Sequence, residues 1–301
     1  MTVRDLWQIV KTAGTAWLDH KAPRLAAAVA YYTILSLAPV LIIAVAVAGA
    51  VFGEEAARGQ LVDQFRGMVG QSGAEAIQVM LEHASKPGAG VWATVIGIGT
   101  LVIGASGVFG ELQDALNTVW DVKPRPGRGI MGVLHDRFLS FAMVLCIGFL
   151  LLVSLVLSTA LSAMDHVLEG WIPGLPTLMR VANIGLGFIV VTVLFAMMFK
   201  FLPDVKLRWR EVWLGAAVTA ALFTLGKYLI GLYLGKAGVA SPFGAAGSLV
   251  ALVVWIYYSA LILFFGAELT QVMTKRVGRG QPMPNAERLT EKTTAAMAPG
   301  E

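Results

Sequence analysis

Six stretches of this chain are long and apolar enough to cross a bilayer, and nothing else in it limits the fold so tightly. They lie near residues 25–52, 91–110, 139–161, 180–202, 212–234 and 246–270. About 20 mostly apolar residues cover a hydrocarbon core about 30 Å thick. Water is absent there, so each stretch must pair its own N–H and C=O groups and is expected to be helical. Sustained period-two alternation, the mark of a membrane barrel, is missing. Composition agrees, with 57% hydrophobic and 14% charged residues, against roughly 25% charged in soluble domains. The expected class is an all-α integral membrane protein. A six-helix transmembrane domain fills 25–275, an N-terminal cytoplasmic amphipathic helix precedes it over 1–24, and a disordered cytoplasmic tail follows over 276–301.

The basic residues set the orientation. Seventeen Lys and Arg lie in the termini and the even-numbered connections, against five in the odd-numbered connections, with Lys227 left inside a span. Cytoplasmic segments carry the excess of Lys and Arg, which puts both termini in the cytoplasm of a multi-pass protein of the bacterial inner membrane. Trp92, Trp171, Trp209 and Trp213 flank spans and only Trp255 sits well inside one. The net charge of +4 is scattered between apolar runs, which speaks for membrane topology and against nucleic acid. One cysteine, Cys146, permits no disulfide framework, and His20, His83, His135 and His166 share no metal-ligand spacing. No cofactor is expected. The first apolar run begins after 24 residues and is about twice the length of a signal-peptide core, so it reads as a retained anchor.

Between the spans, residues 3–20 put Leu6, Ile9, Val10, Ala13 and Trp17 on one helical face. That pattern suits a helix lying in the membrane surface or one packed on the mouth of the bundle. The first loop, 53–90, reads as two short outer amphipathic helices separated by a Gly-containing break. After the second span, "GELQDALNTVWDVKPRPG" continues as a helix until Pro124 and Pro126, with Glu111, Asp114 and Asn117 on a solvated face.

Polar residues inside the spans are the candidate path or hinge. Tyr32, Ser36 and Pro39 fall at i, i+4 and i+7, one stripe expected to face protein or water. Pro39 cannot donate to the carbonyl of Leu35, and Ser36 is placed to help satisfy it. The kink reads either as a transport hinge or as static packing. Gly104 and Gly107 belong to a run of small residues that favours close helix approach. Lys227 either faces inward or snorkels. Glu268 is expected to meet Arg24 or Lys200. Pro242 and Gly244 in "SPFGAAGS" read as a broken helix start or an ordinary turn, and Tyr258 completes the set.

Four blocks, "AAAVAYYTILSLAPVL", "LQDALNTVWDV", "FLPDVKLRWREVWLGA" and "SPFGAAGSLVALVVWIYYSALILFFGAELTQV", resemble in order and spacing the YihY/BrkB family of bacterial inner-membrane proteins. The resemblance covers about residues 5–275. It implies six helices with both termini cytoplasmic. Members are described as envelope or virulence-associated membrane proteins or as transporters, and some carry an old ribonuclease BN label. The residues oppose that label. The His135/Asp136 and Asp165/His166 pairs fall on opposite sides of the membrane, and no nucleophile and base pair or nucleotide-binding loop is present.

The expected function is therefore non-enzymatic: a transporter-like or lipid-handling protein of the envelope, with membrane lipids around it and an amphipathic lipid as substrate. The alternative is a non-transporting scaffold that docks envelope-assembly protein partners.

Overall fold

The computed structural model describes residues 3–84, 107–124, 175–236, 247–284 and 286–289. Helix α1 (Val3–Asp19) leads through a two-residue turn into α2 (Ala22–Phe52), and α3 (Glu54–Ala84) follows. A helix over 107–119, α4, ends in strand β1 (Val122–Pro124). Then come α5 (Leu175–Phe201), β2 (Val205–Lys206), α6 (Trp209–Lys236), α7 (Gly247–Arg276), β3 (Gln281–Pro282) and β4 (Ala286–Arg288).

Among the described residues, three helical segments are long and apolar enough to span a membrane: Val181–Phe201, Trp209–Leu229 and Leu249–Arg276. They match the fourth, fifth and sixth expected spans, and the first expected span lies within α2. Most of the second and all of the third, 139–161, fall outside the described residues. Apolar side chains such as Val181, Ile184, Ile189, Leu225 and Val254 point outward from these helices, which suits a lipid surround and not water.

Helix α7 is the central post, packed by α1, α2, α3 and α6, with α5 laid against α6. The α6–α7 contact is a reciprocal lock. A Cβ at Gly215 would overlap the Thr270 hydroxyl, and one at Gly266 would overlap the Thr219 hydroxyl. Each threonine hydroxyl donates within its own helix, Thr219 to Gly215 O at 2.7 Å and Thr270 to Gly266 O at 2.8 Å. No polar group is thereby stranded. Small residues at such crossings let backbones approach where lipid supplies no hydrophobic drive.

Three expectations change. The first loop is one helix, α3, because the Gly70 and Gly73 region continues helical through to Ala84. A lone glycine costs a helix only about 1 kcal/mol, and packing on α2 and α7 outweighs it. Ala57, Ala74, Ile77 and Leu81 are buried, Ile77 and Leu81 in the cluster with Leu252 and Trp255. The fold is also not purely α. β1 pairs antiparallel with β4, Val122 opposite Arg288, and β2 with β3, Val205 opposite Pro282. Residues 281–284 and 286–289 therefore form a strap, where a disordered tail was expected. The backbone N–H of Met283 donates to Asp204 O and that of Leu289 to Asp121 O, both at 2.9 Å. Apolar periodicity could not reveal a segment held mainly by backbone hydrogen bonds.

Helix α1 packs through Ile9 and Ala13 against Leu269 and Val272. Its Trp17 Nε1 donates to Leu261 O at 3.3 Å. Leu6, Trp7, Val10 and Leu18 remain exposed. The helix thus sits on the bundle with one stripe while presenting a second apolar stripe outward.

Candidate functional site

At the end of the bundle where α1 meets the last turns of α7, charged side chains converge. The His20 N–H donates to Ala16 O at 2.9 Å, Lys21 takes φ 54, and α2 begins at once with Pro23 in its first turn. This abrupt reversal holds the imidazole against the bundle. Its Nδ1 lies 2.6 Å from Glu268 Oε1 and its Nε2 3.2 Å from Asp121 Oδ1. Asp121 follows α4 with φ 53, a left-handed conformation that Asp tolerates better than most residues. Its second oxygen accepts from Lys275 Nζ at 2.7 Å and Gln271 Nε2 at 3.2 Å. Gln271 Nε2 also donates to the Val119 carbonyl.

Both ring nitrogens face carboxylate oxygens, so both donate only when the ring is an imidazolium. Burial alone would lower the His20 pKa. The hydrogen bonds and negative charges of Asp121 and Glu268 outweigh it and lift the value to about 9. Asp121 is the mirror case: burial pushes it up, but hydrogen bonds and charge from His20 and Lys275 bring it down to about 2. Access is graded across the cluster, the Asp121 side chain 41% exposed, His20 20% and Glu268 0%. Glu268 Oε2 has no hydrogen-bond partner among the described residues.

Beside this cluster, Asn117 clamps the α5–α6 connection. Its Nδ2 donates to Asp204 Oδ2 at 3.1 Å and its Oδ1 accepts the Asp204 backbone N–H at 2.8 Å. The α4 face expected to be solvated is thus buried at Asn117. Among the described residues, no group of His, Cys, Asp and Glu could hold a metal ion.

The predicted site residues are only partly brought together. Glu268 meets His20, not Arg24 or Lys200, because the α1–α2 turn delivers the histidine first. The Lys200 Nζ donates to the Leu207 carbonyl instead. Ser36 is buried, but its hydroxyl donates to Tyr32 O at 3.0 Å and Thr33 O at 3.1 Å, so it leaves the Leu35 carbonyl alone. Pro39 lies within α2 without ending it. Tyr32 is 40% exposed, not wholly inward, and its ring lies over Gly107, where an added Cβ would come within 3.3 Å. Tyr258 packs where a Cβ on Gly226 would stand, and its hydroxyl points to Leu222 O at 3.4 Å. Lys227, half-buried, adjoins that contact. Gly104, Pro242 and Gly244 lie outside the described residues. His20, Asp121 and Gln271 escaped sequence reasoning. The signal in the sequence was a histidine and an aspartate each beside a helix end.

A groove of about 650 Å³ opens between α1 and the α6–α7 face. Lys11, Thr15 and Trp17 lie on one side, and Leu222, Tyr258 and Phe265 on the other. It is almost wholly apolar apart from Lys11, Thr15 and the Tyr258 hydroxyl.

Long apolar helices with outward-facing aliphatic side chains, knit at one end by a polar cluster and a C-terminal strap, define a helical membrane protein. The chain belongs to the Virulence factor BrkB family, whose sequence pattern it matches over residues 13–290. This agrees with the YihY/BrkB resemblance. It is 29% identical over 254 residues to a "UPF0761 membrane protein" of Verminephrobacter eiseniae, covering 81% of this chain and 57% of the relative. It is 27% identical over 275 residues to one of Pseudomonas aeruginosa, covering 89% and 63%. The chain thus spans about three-fifths of the length of these relatives. No solved structure matches it.

Proposed function

We propose that this protein is a multi-pass protein of the bacterial inner membrane, with both termini in the cytoplasm, that binds and moves an amphipathic lipid. The groove beside α1 carries this reading. The α7 wall from Tyr258 to Phe265 runs about 10 Å at 1.5 Å per residue, room for part of an acyl chain. Lys11 on the facing helix offers a cation to an anionic headgroup. The exposed Leu6, Trp7, Val10 and Leu18 suit a helix lying at the headgroup level, where a lipid would pass from bilayer to groove. The excess of Lys and Arg in the termini and even-numbered connections supports the orientation. The packing of α1 on the last turns of α7 agrees with it.

The test uses purified full-length protein in liposomes of phosphatidylcholine and phosphatidylglycerol carrying a headgroup-labelled anionic phospholipid. Wild type is expected to speed movement of the label between leaflets. Ile262→Trp, which fills the groove, and Lys227→Ala, which removes the cation inside a span, are expected to lower that rate about tenfold or more at normal protein abundance. Unchanged rates in the Ile262→Trp variant would exclude the groove from the path. Wild-type rates after Lys227→Ala would remove that residue from the mechanism.

A further inference from the structure

We infer that Glu268 and His20 form a proton-binding site, in which His20 passes a proton between the exposed edge at Asp121 and the carboxyl of Glu268 inside the bundle. This goes beyond the lipid-handling reading and does not depend on it. The imidazole bridges an exposed and a fully buried carboxylate with a different nitrogen on each, 3.2 Å to Asp121 and 2.6 Å to Glu268. Such a ring can accept a proton on one side and release one on the other. The outer oxygen is within reach of water, since the Asp121 side chain is 41% exposed, whereas Glu268 has no exposure. The histidine is therefore the connection between solvent and Glu268 that the described residues provide.

The free oxygen of Glu268 gives the second, independent observation. A fully buried carboxylate with Oε2 unpartnered among the described residues is costly while ionised. A proton on the carboxyl removes that charge. Charge balance sets the other limit. The charged groups acting on this site are Asp121 after α4, His20 between α1 and α2, and Glu268 and Lys275 on α7. With both carboxylates ionised and His20 an imidazolium, the four charges cancel. In the transfer step the Nδ1–H bond of the imidazolium breaks and an Oε1–H bond forms on Glu268. This leaves neutral imidazole with its proton on Nε2, and neutral Glu268. The pair carries no net charge before or after, so no isolated charge is created inside the membrane. Nε2 already holds its proton, so the ring turns to bring the vacant Nδ1 to water, where a new N–H bond forms and restores the imidazolium beside neutral Glu268.

Infrared difference spectroscopy on the full-length protein in phosphatidylcholine liposomes tests this directly, without measuring lipid movement. Its failure is thus separate from failure of the groove reading. A step from about pH 8 to about pH 5 is expected to produce a carboxylic acid C=O band that is absent in Glu268→Gln. Rapid mixing is expected to show the band rising about tenfold or more slowly in His20→Asn. If that variant does not fold, Asp121→Asn, which leaves the His20–Glu268 contact, is expected to slow it similarly. Arg279→Gln breaks the ion pair with Glu211, which lies outside this cluster, and is expected to load at the wild-type rate. No Glu268-dependent band, or wild-type loading in both the His20 and Asp121 variants, would overturn the proposal, as would equal slowing in Arg279→Gln.

Discussion

His20 ties pH to the integrity of the polar end of the bundle. Its folded pKa of about 9 stands above its ordinary 6.5, so its stabilising contribution is complete below about 6.5 and is lost as pH rises through about 9. Asp121 works the other way. Drawn down from 3.8 to about 2, it contributes above about 3.8 and loses that contribution as pH falls through about 2. The melting temperature of the purified protein is expected to fall from about pH 7 to about pH 10. His20→Gln should flatten the alkaline limb, and an undiminished limb in that variant would assign it to another group. None of this was legible in composition. Glu268 could be singled out because a charge in an apolar span is conspicuous, but the partner came from a turn 248 residues away in sequence. A histidine beside a helix end carries no periodic signal.

At the level of helices, the apolar spans were legible because hydrophobic length is a property of each segment alone. Contacts between helices were not. Gly215, Thr219, Gly266 and Thr270 look unremarkable singly, and only the facing placement of two Gly-x-x-x-Thr pairs makes them a lock. Gly215→Val or Gly266→Val is expected to drive a branched side chain into the opposing threonine and to destabilise by about 1–3 kcal/mol or more. Thermal melting in detergent reads this. Gly185→Ala on α5, where an added Cβ meets nothing within 4 Å, should leave the melting temperature unchanged or raise it slightly. The single long α3 was missed for the opposite reason, since its glycines gave a break signal that tertiary packing overrode.

For the molecule as a whole, the strap of β3 and β4 joins what the helices leave separate. β4 pairs beside Asp121 after α4, and β3 pairs with the α5–α6 connection that Asn117 clamps through Asp204. Truncation after Gly280 is expected to lower the melting temperature and to make a cysteine placed at Lys206 react faster with a water-soluble maleimide. An unaltered rate would mean that the connection is held without the strap. The α6–α7 lock also decides which movements are available. With each hydroxyl seated in the notch of the facing helix, those two rods cannot slide past one another by a turn without forcing methyl groups into backbone. Relative movement of α6 and α7 is therefore confined to a swing about their crossing and not a shear along it.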